Sequence, residues 1–144
     1  MKRPPIAFQT SITIATERRD VWNVLKEVKR WPEWTPTIKS VVALDNDALM
    51  PGRRYRVKHR GLATAVWKAT EVDPKKGFTW ETRAIGLRLT ASHNLEGIRP
   101  TAVTLVFALA GPLARFVAAL ARKKIEKYLE LEAESLRRRV EKGR

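Results

Sequence analysis

Apolar and polar positions alternate from Phe8 to Ala15, with Phe8, Thr10, Ile12 and Ile14 on one face and Gln9, Ser11 and Thr13 on the other. That is the period of a half-buried strand. Thr16 stands where a helix cap would, with Glu17 and Asp20 in the first turn, where the backbone dipole favours acids. Val21, Leu25 and Val28 then fall at helical spacing, and Lys29 and Arg30 suit the helix end. Trp31-Pro32-Glu33-Trp34-Thr35-Pro36 stops that helix, because two prolines so close together allow at most one further short turn.

Strand patterns fill the middle of the chain. Ile38 to Leu44 is the second strand, and Asp45 to Gly52 is a loop ending in the turn pair Pro51-Gly52. Arg53 to His59 puts Tyr55, Val57 and His59 on one face and Arg54, Arg56, Lys58 and Arg60 on the other. Thr64 to Val72 has no clean parity, because Trp67 shares a face with Glu71 and Lys68 with Val72; a bulge would reconcile them. After the turn Asp73-Pro74-Lys75-Lys76-Gly77, strand five turns Phe78, Trp80 and Thr82 inward. Strand six turns Leu87, Leu89, Ala91, His93 and Leu95 inward, and strand seven Val103, Leu105, Phe107 and Leu109.

Gly111-Pro112 closes the last strand and opens a helix free of further Pro or Gly until Gly143. About thirty residues at 1.5 Å each make a rod of roughly 45 Å. Its first half (Leu113, Phe116, Val117, Ala118, Ala119, Leu120, Ala121) is apolar on nearly every side, and later the stripe narrows to Ile125, Tyr128, Leu129, Ala133, Leu136 and Val140. Such a helix should begin buried and end half-wetted. Strands spanning roughly 26 Å would then leave Arg137, Arg138 and Arg139 as overhang. Adjacent strands joined by tight turns make an antiparallel sheet with one wet face. The expected class is α+β: a sheet of about seven strands, two short helices after the first, and a long C-terminal helix over the apolar face, all in one domain over residues 1–144.

Composition adds little to these elements. The 44% hydrophobic and 31% charged content is ordinary for a globular domain. The absence of cysteine excludes disulfides, thiolate catalysis and Cys-ligated metal, and is compatible with a cytoplasmic location. Leu105 to Ala121 is too short and interrupted to span a bilayer, and no signal-peptide core follows the basic start. The net charge of +14 could attract nucleic acid, anionic lipid or an acidic partner, or simply keep the surface solvated. The row Arg54, Arg56, Lys58 and Arg60 is the candidate contact for an anionic membrane. It lacks the interleaved aromatics that stacking on nucleic acid requires, which argues against that partner.

The order of elements, with Val21-Trp22, Trp31-Pro32-Glu33-Trp34, Pro51-Gly52, Trp67-Lys68-Ala69-Thr70-Glu71-Val72, Asp73-Pro74, Phe78-Thr79-Trp80-Glu81 and Gly111-Pro112-Leu113, resembles the SRPBCC superfamily. That group includes START-related, polyketide cyclase/dehydrase-like and birch-pollen-allergen-like proteins. The resemblance covers nearly the whole chain. It implies a helix-grip fold, in which a curved sheet wraps the terminal helix around an apolar cavity that takes lipid, quinone, sterol, hormone or polyketide ligands, with cyclisation or dehydration in some members. It selects no single branch.

Chemistry-bearing residues are sparse. There is no phosphate-binding glycine loop and no serine elbow. No carboxylates share the inward strand positions with His59 and His93, so neither a metal nor a cofactor is expected. Both histidines have inward parity, where a neutral imidazole could orient a ligand or move a proton; a plain strand-end histidine is the competing reading. Candidate cavity residues are Tyr55, His59, Phe78, Trp80, Thr82, Leu89, His93, Val103, Leu105, Phe107, Phe116, Val117 and Leu120, some of which must serve as core. Trp31 could line the cavity mouth or wedge a turn, and Trp34 suits the wedge. Glu126, Glu130, Glu132, Glu134 and Glu141 suggest exposed ion pairing on the terminal helix. The expected function is binding or transport of a small hydrophobic ligand. The alternatives are a polyketide cyclase/dehydratase-type enzyme using the same cavity, and a basic-surface adaptor for membrane or nucleic acid.

Overall fold

A computed structural model describes residues 3–46 and 48–143. Met1, Lys2, Asp47 and Arg144 lie outside the described residues, and with them part of the basic start and one position of the Asp45–Gly52 loop. The elements are β1 (Ile6–Ile14), α1 (Arg18–Leu25), a 3-10 helix (Val28–Glu33), β2 (Ile38–Ala43), β3 (Arg54–His59), β4 (Ala65–Asp73), β5 (Gly77–Ala84), β6 (Leu87–Glu96), β7 (Thr101–Ala110) and α2 (Ala114–Lys142). The strands form one antiparallel sheet in the order β1-β7-β6-β5-β4-β3-β2. The first strand therefore lies at one edge and the second at the other, and the two short helices carry the chain between them. This is a helix-grip fold.

Local chemistry accounts for most of these elements. The inward parities of β5, β6 and β7 hold, with Phe78, Trp80, His93, Leu95, Val103, Leu105 and Leu109 buried. In β4 the pairing with β5 slips between Ala69 and Glu71. That bulge buries Trp67 and Ala69 before it and turns Val72 inward after it, resolving the mixed parity. At Gly77 the backbone has φ near 108°, and an added Cβ would come within 1.7 Å of the His93 carbonyl oxygen. Only glycine lets β5 start so close to β6.

Two expectations about these elements fail. Thr16 does not cap α1; Glu17 holds the cap position with no side-chain bond, and the buried Thr16 carbonyl accepts from Thr101 Oγ1 at 3.1 Å. The cationic row lies on β3, which β2 separates from the sheet edge, and Arg54 is engaged by Asp45 at 2.8 Å.

The second concerns α2, whose burial runs opposite to the expected order. Its deepest residues are Ala133, Leu136 and Val140, packed with Ile14, Val21, Leu25 and Trp22 in the main core. Its end is not overhang: Arg139 reaches Glu33 at 3.0 Å, and Glu141 accepts from the Ala15 amide at 3.1 Å. In the first half only Ala114 and Ala118 seat fully, on Leu109, while Phe116 and Leu120 face solvent. All-round apolarity cannot say which arc of a helix a sheet will cover. Here α2 crosses β1 and β7, and α1 closes over its far end.

Candidate functional site

The main core and the small Leu109–Ala114–Ala118 cluster do not merge, and an apolar cavity of about 290 Å³ lies where they fail to meet. Its floor is aromatic. Trp31, set by the 3-10 helix, is buried and anchored by its Nε1–H to the Leu25 carbonyl at 3.0 Å. Its ring lies 5.3 Å from Trp80 and 5.2 Å from His93, centroid to centroid. Trp67 continues the wall at 5.5 Å from Trp80. Leu89, Ala91, Leu105, Phe107 and Leu109 form the sheet side, and Val117, Ala121, Ile125 and Leu129 the α2 side.

Of the residues expected at the cavity, His59, Trp80, Thr82, Leu89, His93, Leu105, Phe107 and Val117 stand on its wall. Tyr55, Phe78 and Val103 do not line it; they are buried in the packed core, with Phe78 stacked on His93 at 4.4 Å and 10° between planes. Phe116 and Leu120 are solvent-facing instead, being on the arc of α2 that no strand covers. Trp31 is wall and wedge at once; Trp34 packs behind it at 5.6 Å.

The polar centre pairs a residue expected there with one that sequence reasoning placed in water. His93 projects from β6, and its Nε2 stands 3.9 Å from Oε2 of Glu132 on α2. That is too long for a hydrogen bond, yet a hydroxyl or carbonyl oxygen beside the pair could reach both atoms. Burial pushes the Glu132 carboxyl up to about 7 and the His93 imidazole down to about 4. His59, also on the wall, is pushed down to about 4 by the same cause. Near neutral pH both imidazoles are therefore uncharged, and Glu132 exists in comparable amounts as acid and carboxylate. His93 Nδ1 has no well-formed hydrogen bond among the described residues; the Phe78 backbone pulls only weakly toward the charged form.

Glu132 was legible in principle. It falls seven residues after Ile125 and four before Leu136, a lone acid within the apolar stripe. Its four sister glutamates on α2 drew it into a pattern of surface pairs. No group of three metal-ligating side chains gathers among the described residues.

The β3–β4 loop closes the cavity against α2. Lys124 Nζ donates to the Gly61 carbonyl at 3.1 Å, Tyr128 Oη donates to the Arg60 carbonyl, and Lys58 donates to the Leu62 carbonyl. Leu62, Ala63 and Ala65 from this loop complete the wall.

Residues 5–141 match the family described as polyketide cyclase / dehydrase and lipid transport. No curated protein matches the sequence. Among solved structures, the chain is similar to norcoclaurine synthase from Thalictrum flavum in complex with dopamine and hydroxybenzaldehyde. That match has 13% identity and a TM-score of 0.75, over 98% of this chain and 89% of that one. It is also similar to the Zhui aromatase/cyclase from Streptomyces sp. R1128, at 15% identity and a TM-score of 0.71, over 96% and 94% of the chains. The di-domain aromatase/cyclase StfQ of the steffimycin pathway matches at 10% identity and a TM-score of 0.77, over 96% of this chain and 51% of that one. At these identities the likeness is one of fold.

Proposed function

The chain belongs to the polyketide cyclase/dehydrase and lipid-transport family, and from that premise we propose that it binds a small, mostly apolar molecule in the cavity between sheet and α2. One polar group of the ligand sits at His93 and Glu132. The observation that carries this reading is a cavity walled by Trp31, Trp67, Trp80 and Phe107 whose polar centre is one acid–imidazole pair, His93 buried and Glu132 half-buried. Aromatic walls favour flat rings or unsaturated chains, so quinone-like, polyketide-like or short lipid ligands fit the lining. Burying about 300 Å² of apolar ligand surface would contribute roughly 7 kcal/mol, and ordering costs trim that toward micromolar affinity.

A second reading rests on Glu132 itself. A carboxyl that ionises near neutral pH is suited to general acid–base work, and His93 beside it can orient the reacting oxygen. Cyclisation or dehydration of a polyketide-like substrate needs such transfers, and the aromatase/cyclase structures share this fold.

Native mass spectrometry of the purified protein, with and without an added aromatic ketone, separates binding from an empty core. The expected result is a one-to-one adduct, retained in Glu132→Gln with affinity changed less than about tenfold. Bare protein under every condition contradicts binding. If turnover of a polyketide mimic is found, Glu132→Gln should slow it by about a hundredfold or more; undiminished turnover contradicts the catalytic reading.

A further inference from the structure

The solvent arc of α2 carries a feature that the cavity does not explain. Phe116 and Leu120 are 65% and 73% exposed, Leu113 46%, and Ile85 in the β5–β6 turn 96%. These side chains form one patch. Leu113 donates its amide to the Gly86 carbonyl at 3.0 Å, and its side chain lies directly over Gly86, the neighbour of Ile85. Phe116 and Leu120 follow Leu113 at helical spacing, and Lys123 and Lys127 continue the same arc.

The surround is strongly cationic. Neither 111–125 nor 82–95 contains an Asp or Glu, whereas these stretches hold Arg83, Arg88, Arg115, Arg122, Lys123 and Lys124. The nearest ion pairs, Arg83–Glu81 at 3.8 Å and Arg122–Glu126 at 3.7 Å, are long and join exposed arginines.

We propose that this face docks the protein on an anionic lipid bilayer. Ile85, Leu113, Phe116 and Leu120 enter the boundary between headgroups and acyl chains, and Arg115, Arg122 and Lys123 hold lipid phosphates. Charge decides the occupant. A second copy of the chain would bring like charges together around the patch, and nucleic acid offers phosphates but no apolar layer for the exposed side chains. An anionic bilayer supplies both. Val117, Ala121 and Lys124, one position around the helix, line the cavity, so the docked face adjoins the α2 wall of the cavity. Docking of this kind goes beyond ligand binding and does not depend on it.

Flotation with phosphatidylcholine vesicles, with and without about 30% phosphatidylglycerol, tests the proposal. The full chain should partition at least tenfold more strongly to the anionic vesicles, and raising salt from about 50 to 500 mM should weaken this. F116S/L120S should lose at least tenfold of the partition with circular dichroism unchanged, since neither side chain is seated. Replacing Arg54, Arg56 and Arg60 by glutamine should cost much less than replacing Arg115, Arg122 and Lys123. Partition no better than to neutral vesicles, or equal partition by F116S/L120S, overturns the proposal. So does light scattering that shows a dimer which F116S/L120S converts to monomer.

Discussion

Trp31→Ala is expected to lower unfolding free energy by about 3–5 kcal/mol, a large share of the 5–15 kcal/mol typical of a domain. Trp31 is buried, meets Trp34, Phe78, Trp80 and His93, and holds the Leu25 carbonyl through its indole nitrogen. Its loss leaves that carbonyl without the indole donor and extends the existing cavity, which the surroundings cannot collapse to fill. Urea unfolding should show a lower midpoint with unchanged slope. A loss below about 1 kcal/mol would mean that the indole is not seated between the 3-10 helix and the sheet.

Glu132→Gln should gain stability relative to the parent as pH rises from about 4.5 to 8, reaching about 2–3 kcal/mol. An unfolded glutamate ionises near 4.5, whereas Glu132 holds its proton to about 7. Between those values the folded parent binds the extra proton, so this group's contribution to stability falls as pH rises. His59 and His93 act in the opposite sense. Their folded values near 4 lie below the ordinary 6.5, so their contribution rises between pH 4 and 6.5. The parent should thus gain stability up to about pH 6.5 and lose a little by pH 7. Glu33, Asp45 and Glu134, each held low by an arginine partner, are common to both proteins and cancel in the difference. Parallel stability–pH curves for parent and Glu132→Gln would show that the carboxyl is not desolvated.

Strand parity was the most legible layer of this sequence. It placed Trp80, Leu89, His93, Leu105 and Phe107 on the inner face, and the broken parity of β4 located its bulge. Period two leaves only two faces to choose between, so one buried side determines the rest. The terminal helix was harder because a helix offers a full circle of directions. Leu113, Phe116 and Leu120 are as apolar as Leu136 and Val140, and only the tertiary path of α2 over β1 and β7 decides which are covered. Glu132 was misplaced for the same reason. Parity also cannot separate a cavity wall from packed core: Tyr55 and Val103 have the correct facing yet lie in the core cluster beside the cavity. The match over residues 5–141 narrows the ligand class, and the cavity residues say where such a ligand would sit.

Occupation of the space between sheet and α2 by a small apolar molecule, with its polar group at His93 and Glu132, is the proposal on which the function rests. Titration of the protein with 2-naphthol, followed by tryptophan emission, tests it directly, since Trp31, Trp67 and Trp80 line that space. The predicted result is saturable one-to-one binding near the micromolar range, abolished by Ala91→Phe, which fills the cavity from β6. Absence of saturable binding, or binding unchanged in Ala91→Phe, would rule out a ligand at this site.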